Sequence, residues 1–245
     1  MDAALIILSM SGDAVLSPTN PYRRSHSEFG DITFGSKNLL SLLAQASLIA
    51  QKTSYYYKWQ VHRRARPEVL GGRIEIHLTG RKSYDLHPSI LACDGLARTK
   101  SEFGSWLLPQ AFPEGCPTHP SYPAAHAVNA GACTTVLKAF FDEDFIIANP
   151  VEATADGASL EPWRGEALTL GGEIDKLAAN IALARDAAGV HFRSDSVRGL
   201  RVGEEAAIGL LMDYSRTYNE RFEGFVLTKF DGTKVNIAKG AIRSP

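Results

Sequence analysis

The residues best suited to shared chemistry sit in the segment Pro-Glu-Gly-Cys-Pro-Thr-His-Pro-Ser-Tyr-Pro-Ala-Ala-His, residues 113–126, which holds His119 and His126. Its proline-rich part reads as a loop and its end as the start of a helix, with Pro123 in the first turn, where a missing N–H costs nothing. The unpaired N–H groups around Ala125 and His126 would attract an anion. A histidine held beside that anion can give or take a proton near neutral pH. Two cationic segments join this loop: Lys58 with Arg66-Pro67 at the end of a helical run, and Arg185 followed by His191. Three cations, candidate histidines and a helix N-terminus can together enclose a tetrahedral oxyanion. The arginine fork suits paired oxygens, and lysine adds a compact point charge. Each pair alone is a weak signal, because basic pairs on helices are common. His26, His62, His77 and His87 lack such company and read as structural or surface residues, and Arg63 and Arg64 read as a solvated helix face.

Taken in order, Lys58…Arg66-Pro67, Tyr-Pro-Ala-Ala-His126 and Ala184-Arg185-x(5)-His191 resemble a known family. The pattern Lys-x(n)-Arg-Pro, Pro-Ser-Gly-His and Ser/Gly-Arg-x(5)-His belongs to the vanadium-dependent haloperoxidases, which share a core with the type-2 phosphatidic acid phosphatases. The similarity extends to flanking text such as Pro-Thr-His-Pro-Ser-Tyr-Pro, Val-Leu-Lys-Ala-Phe-Phe and Ala-Gly-Val-His-Phe-Arg-Ser-Asp. It covers most of residues 15–215 and is nearer to the algal bromoperoxidases and their bacterial relatives than to the fungal chloroperoxidases.

The resemblance implies a vanadate cofactor. Lys58, Arg66 and Arg185 would meet its equatorial oxygens beside the backbone at Ala124 and Ala125. His191 would bond the metal, and His126 would be the acid–base group near the apical oxygen. His119 matches a histidine of the bromoperoxidases and so favours bromide or iodide over chloride. Lys58 would also polarise bound peroxide, and Asp195 would orient His191 or a nearby arginine. The implied reaction oxidises halide with hydrogen peroxide to a hypohalous-acid-like species that halogenates a small organic acceptor. The metal serves as Lewis acid throughout.

One departure matters. Where the family has Pro-Ser-Gly-His, this chain has Pro-Ala124-Ala125-His126. Alanine in place of glycine keeps the N–H but adds a methyl group. Alanine in place of serine removes a hydroxyl that would bond an anionic oxygen, worth about 1.5–3 kcal/mol, or roughly one to two decades of affinity. Three readings therefore stand: a haloperoxidase with weakened cofactor binding, an acid phosphatase using the same pocket with His191 as nucleophile, and an anion-binding relative without activity.

Composition bounds the rest. A net charge of −1 gives no general attraction to nucleic acid or acidic membranes, so the local basic cluster suits a small anion. No apolar run reaches the roughly 18 residues needed to span a bilayer. The three cysteines, Cys93, Cys116 and Cys133, do not read as a disulfide framework. Cys116 lies in the site loop and reads as a buried thiol, open to contact with the site. The start Met1-Asp-Ala-Ala-Leu-Ile-Ile-Leu lacks the basic region and cleavage site of a secretory signal, and the compartment is not readable from it. The chain resembles the C-terminal catalytic half of longer relatives. Apolar surface left bare by absent upstream helices would favour a homo-oligomer.

The elements that must position these residues read as mainly α. Residues 36–58 carry Leu39, Leu43, Ala46, Ile49 and Ala50 on one stripe, and 173–188 carry Ile174, Leu177, Ile181 and Ala184. Helices are also expected over 124–142 and 199–217. Residues 17–35 read as loop, and 71–112 as mixed helix and loop. Asp231-Gly232 between Phe225–Phe230 and Thr233–Ile237 signals a β-hairpin. The expectation is one catalytic domain over residues 1–245, with the anion site at one end of a four-helix core and a short C-terminal hairpin.

Overall fold

The computed structural model describes residues 1–10 and 12–243. Its core is a bundle of four helices: α2 (Ser36–Tyr56), α6 (Ala125–Phe140), α7 (Leu170–Ala187) and α8 (Arg193–Tyr214). Helix α6 is the central element and packs against the other three. Its sequence is apolar on nearly every side, so burial is its only stable setting. Around the bundle lie α1 (Asp2–Leu8), α3 (Pro67–Leu78), α4 (Pro88–Leu91) and α5 (Asp94–Phe103). A small exposed hairpin, β1 (Val151–Ala153) with β2 (Leu160–Pro162), precedes α7.

Boundaries differ from the sequence reading for local reasons. Helix α2 continues as a π-turn over Tyr57–His62, closed by Arg63 in the left-handed region (φ 46°), whose Nε donates to the Trp59 carbonyl at 2.9 Å. Helix α8 starts six residues before the expected 199. The Asp195 carboxylate accepts the Phe192 N–H at 3.1 Å, and this cap outweighs the weak apolar pattern of Arg193 and Ser194. Pro123 is not in the first turn of α6: Ala124 is the N-cap and Ala125 the first helical residue. The Ala124 N–H donates to the Asp195 carbonyl at 3.1 Å, which holds that residue extended and delays the helix. On α7 the buried positions are Leu170, Gly171, Ile174, Ala178 and Ala182, whereas Leu177 and Ile181 remain over a third exposed.

The expected hairpin is there and gains a third strand: β3 (Phe225–Thr228) pairs with β4 (Lys234–Ala238), which pairs with β5 (Ala241–Arg243), all antiparallel. Phe225, Leu227, Val235 and Ile237 face the bundle and are buried. Three charged side chains bind the sheet's backbone. Buried Lys138 donates to the Thr228 carbonyl at 2.6 Å, Glu143 accepts the Thr228 N–H at 2.8 Å, and Glu204 accepts the Phe230 N–H at 2.7 Å. Lys138 also pairs with Asp175 at 2.9 Å, so its buried charge is compensated.

Helices α6 and α8 approach closely because glycine lies at their crossing. A Cβ on Gly203 would fall 2.0 Å from the Val128 carbonyl oxygen and 2.7 Å from the Ala132 nitrogen. These are backbone atoms and cannot move without parting the helices. Gly203→Ala is therefore expected to destabilise the protein by about 1–3 kcal/mol. Gly209→Ala, on the same helix with open space around it, should stabilise by up to about 1 kcal/mol. Melting curves of the two variants check the contrast.

Candidate active site

Four chain segments meet at one end of the bundle: the π-turn after α2, the loop before α6, the end of α7 and the start of α8. Each is fixed locally. In the π-turn, Lys58 turns inward and is fully buried, and its Nζ donates to the carbonyls of Pro120 at 2.6 Å and Ser121 at 3.0 Å. Arg66 is the N-cap of α3 and is held extended, as a residue before proline must be. Helix α7 ends in a Schellman turn: Val190 N–H donates to the Arg185 carbonyl and Gly189 N–H to the Asp186 carbonyl, with Gly189 at φ 74°. That turn sends the chain back across the helix end and sets His191 near Arg185.

Arg66 is the hub of the cationic side. Its Nε donates to the His119 carbonyl at 2.9 Å, and one terminal nitrogen reaches His119 Nδ1 at 3.0 Å. The other terminal nitrogen lies 2.8 Å from the Val190 carbonyl and 2.9 Å from His191 Nε2. Asp195 is the hub of the anionic side and is fully buried. Its Oδ2 accepts from Ser121 Oγ, from the Phe192 N–H and from His191 Nδ1 at 3.1 Å, while Oδ1 pairs with Arg64 at 2.8 Å. Burial opposes this carboxylate's charge, yet the bonds from His191, Ser121 and Phe192, with Arg64, hold it below the usual carboxylate range.

Arg64 is thus no solvated helix face. It bonds Ser194 Oγ at 2.7 Å and covers the Phe192 ring as well as pairing with Asp195. Sequence reasoning also passed over Ser121, whose signal lay in the Pro-Ser-Tyr-Pro text of the site loop. His62, His77 and His87 do lie apart: His62 meets the Tyr122 ring, His77 accepts the Tyr84 N–H, and His87 caps α4.

The remaining candidates face a cavity of about 450 Å³, lined by His119, Ala125, His126, Arg185 and His191 at one end. Lys58 and Arg66 sit buried behind that end. Ala124 does not line the cavity: it is fully buried in a small apolar cluster with Ala127 and Ala182, and its N–H is committed to Asp195. Cys116 is buried against Ala188 and Val190, away from the cavity, whereas Cys133 lines it. Among the described residues no cluster of three or more His, Cys, Asp or Glu could hold a metal by itself.

The electrostatics are those of a site built for an anion. Burial, then the Arg66 charge, brings Lys58 down to about 7. Burial brings His191 to about 4 despite its bond to Asp195, with Arg66 and Lys58 contributing. His126 opens onto solvent, yet burial, Arg185 and Lys58 still lower it; His119 is lowered by burial, Lys58 and Arg66. Burial leads in each case, and the concentrated positive charge adds to it beyond what Asp195 offsets. Arg185 Nε is buried with no hydrogen-bond partner, and no side chain caps α6. A tetrahedral oxyanion fits this donor set: it would meet Arg185, the amides of Ala125 and His126, and the cationic wall.

The family model described as the VCPO second helical-bundle domain matches residues 96–220. The chain is 42% identical over 227 residues to the vanadium-dependent bromoperoxidase of Corallina officinalis, covering 84% of this chain and 38% of that protein. It is 38% identical over 250 residues to the bromoperoxidase of Ascophyllum nodosum, covering 94% of this chain and 45% of that one. A solved structure, the homohexameric second vanadate-dependent bromoperoxidase of Ascophyllum nodosum, superposes with a TM-score of 0.85 at 29% identity, over 96% of this chain and 45% of the other. The chain spans under half the length of these relatives.

Ser121 offers a clean test of the network. Ser121→Ala removes a bond to a buried carboxylate, so the folded state should lose about 1.5–3 kcal/mol by denaturant titration. An unchanged midpoint would mean that Asp195 does not depend on this hydroxyl.

Proposed function

Since this chain belongs to the vanadium-dependent haloperoxidase family, we propose that residues 1–245 form one catalytic domain that binds vanadate and oxidises halide, bromide preferred, with hydrogen peroxide. The observation that carries this reading is the concentration of mutually depressed cations and histidines around an unpartnered Arg185 Nε. Bound vanadate supplies a Lewis acid that activates peroxide toward a halide nucleophile.

The chain's own residues do the rest. His191 is neutral near pH 7 because its pKa lies at about 4. Its Nδ1–H donates to Asp195, which leaves Nε2 as the acceptor; Nε2 faces an Arg66 terminal nitrogen at 2.9 Å, and Arg66 would turn to an anion oxygen for His191 to bond the metal. Arg66, Arg185 and Lys58 balance the charge of the oxyanion. Lys58, poised at about 7, gains its full charge when an anion enters. The His126 imidazole is neutral and open to the cavity, in position to accept a proton from incoming peroxide and return it to the departing oxygen. His119 is held by Arg66 and lies 5.2 Å, ring to ring, from Tyr55; it lines the cavity and would act on the halide.

The domain is also proposed to self-associate. Its exposed surface is 14005 Å², against the roughly 10,700 Å² expected for a compact monomer of 26.6 kDa. That excess is as large as a sizeable protein interface. Among the described residues no helix is long and apolar enough to cross a membrane.

The direct test incubates metal-free protein with orthovanadate and follows bromination of an activated dione by peroxide and bromide. Vanadate-dependent turnover is expected, and His191→Ala should abolish it. A folded sample without turnover at excess vanadate overturns the reading. A second measurement probes the altered motif. In Ala124→Ser the hydroxyl can accept the Ala127 N–H as a helix cap, but Ala124 packs against Ala127 and Ala182 and does not line the cavity. Orthovanadate affinity by calorimetry is therefore expected to stay within about threefold of the parent protein. A gain of roughly tenfold or more would mean that position 124 reaches the anion.

A further inference from the structure

A second concavity lies outside the anion site: a groove of about 520 Å³ between α2 and α8. It shares no lining residue with the cavity that holds His126 and Arg185. That volume suits a small organic molecule. Ile49 and Thr53 of α2 and Val202 of α8 form its walls, half-buried and mostly apolar. Tyr57 and Tyr122 complete it with two half-buried rings. His62 fixes both rings: it stacks with Tyr57 at 6.0 Å between centroids and 23° between planes, and meets Tyr122 edge-on at 4.6 Å.

The tyrosines come from two of the segments that form the anion site. The π-turn that buries Lys58 gives Tyr57 to the groove, and the loop in which Ser121 bonds Asp195 gives Tyr122. Departures from α-helical winding of this kind are frequent at functional sites. The rim is cationic on balance. Arg198 and Arg201, three apart and hence neighbours on α8, both line the groove and are exposed. Neither has an ion-pair partner among the described residues. The acid of the groove, Glu205, is bonded to Lys229 at 2.6 Å. Asp231, which feels the Arg201 charge, accepts the Thr233 N–H at 2.9 Å instead.

We propose that this groove binds a small planar organic anion, an aromatic carboxylate in class, with its ring against Tyr57 and Tyr122 and its carboxylate on Arg198 and Arg201. Two fixed aromatic side chains favour a flat ring, through offset or edge contacts. Two neighbouring guanidinium groups suit the paired oxygens of a carboxylate. A cation finds no free partner there, because the groove's own carboxylate is already paired. A net charge of −1 leaves no general attraction for a polyanion, so the two arginines serve a small ligand. Binding at this groove needs neither vanadate nor turnover, and it stands apart from the haloperoxidase reading. Its occupant touches the π-turn and the site loop together, from outside the bundle.

The test titrates the full chain with 2-naphthoate by calorimetry, without peroxide or halide. One saturable site is expected. Arg198→Gln combined with Arg201→Gln should weaken it by about tenfold or more, because both charge-assisted bonds are lost. Arg185→Gln, in the other cavity, should leave it within about threefold. Uncharged 2-naphthamide should bind about tenfold or more weakly than the acid. Melting curves verify that the variants fold, as substitutions at exposed positions should. Absence of saturable binding, or binding indifferent to the arginine pair, overturns the proposal. So does binding lost in Arg185→Gln, which puts the naphthoate beside the anion site, and so does equal affinity for the amide. A groove closed by a second copy shows as self-association in light scattering that disappears in the arginine pair, with no naphthoate site. That outcome overturns the proposal too.

Discussion

Asp195 is the side chain on which the geometry of this site depends. It is fully buried, and both of its carboxylate oxygens accept hydrogen bonds. Through its carboxylate it caps α8 at Phe192, orients His191, holds Ser121 in the loop before α6 and anchors Arg64 beyond the π-turn. Its backbone carbonyl receives the Ala124 N–H and so fixes where α6 begins. One residue thus ties together three of the four segments that form the site and touches the fourth through His191. A buried carboxylate without partners would be costly; here each donor offsets that cost and is itself positioned in return.

The same carboxylate explains the balance of charge. Asp195 compensates Arg64 and steadies neutral His191, and its charge offsets Lys58 and Arg66 only in part. Those cations share a space from which water is partly excluded, which is why Lys58 falls to about 7. An anion entering that space relieves several unfavourable terms together: the repulsion among cations, the unpaired Arg185 Nε, and the uncapped start of α6. Preorganisation of this kind is the usual way proteins make oxyanion sites strong, because the donors are held in place before the ligand arrives.

Much of this was legible in the sequence, and the reason is chemical specificity. Lys58, Arg66, His119, His126, Arg185 and His191 lie within three short segments whose residue types have few other common purposes in combination. Helix existence was legible too, from the apolar spacing of α2 and α7. What escaped the sequence depends on through-space partners. Arg64 is one of three neighbouring arginines, and only the fold decides which one meets a carboxylate 131 residues away. The early start of α8 depends on a cap from Asp195 rather than on periodicity. Ala124 looked like a binding position because of its place in the motif, but its N–H is spent on Asp195 and its methyl group packs against Ala127 and Ala182.

Helical spacing alone also misread α7. Leu177 and Ile181 fall on the stripe with Ile174, and a pattern rule assigns all of them to the core. In the fold, small residues Ala178 and Ala182 take the packed positions, with Ala182 against Ala124 and Ala127 at the start of α6. Small residues there let α7 come close to the start of α6, and the larger side chains are turned aside to wall the cavity. The close approach of α7 to α6 sets the position of Arg185 beside the helix N-terminus, so the alanines and the displaced leucine and isoleucine are consequences of one packing choice.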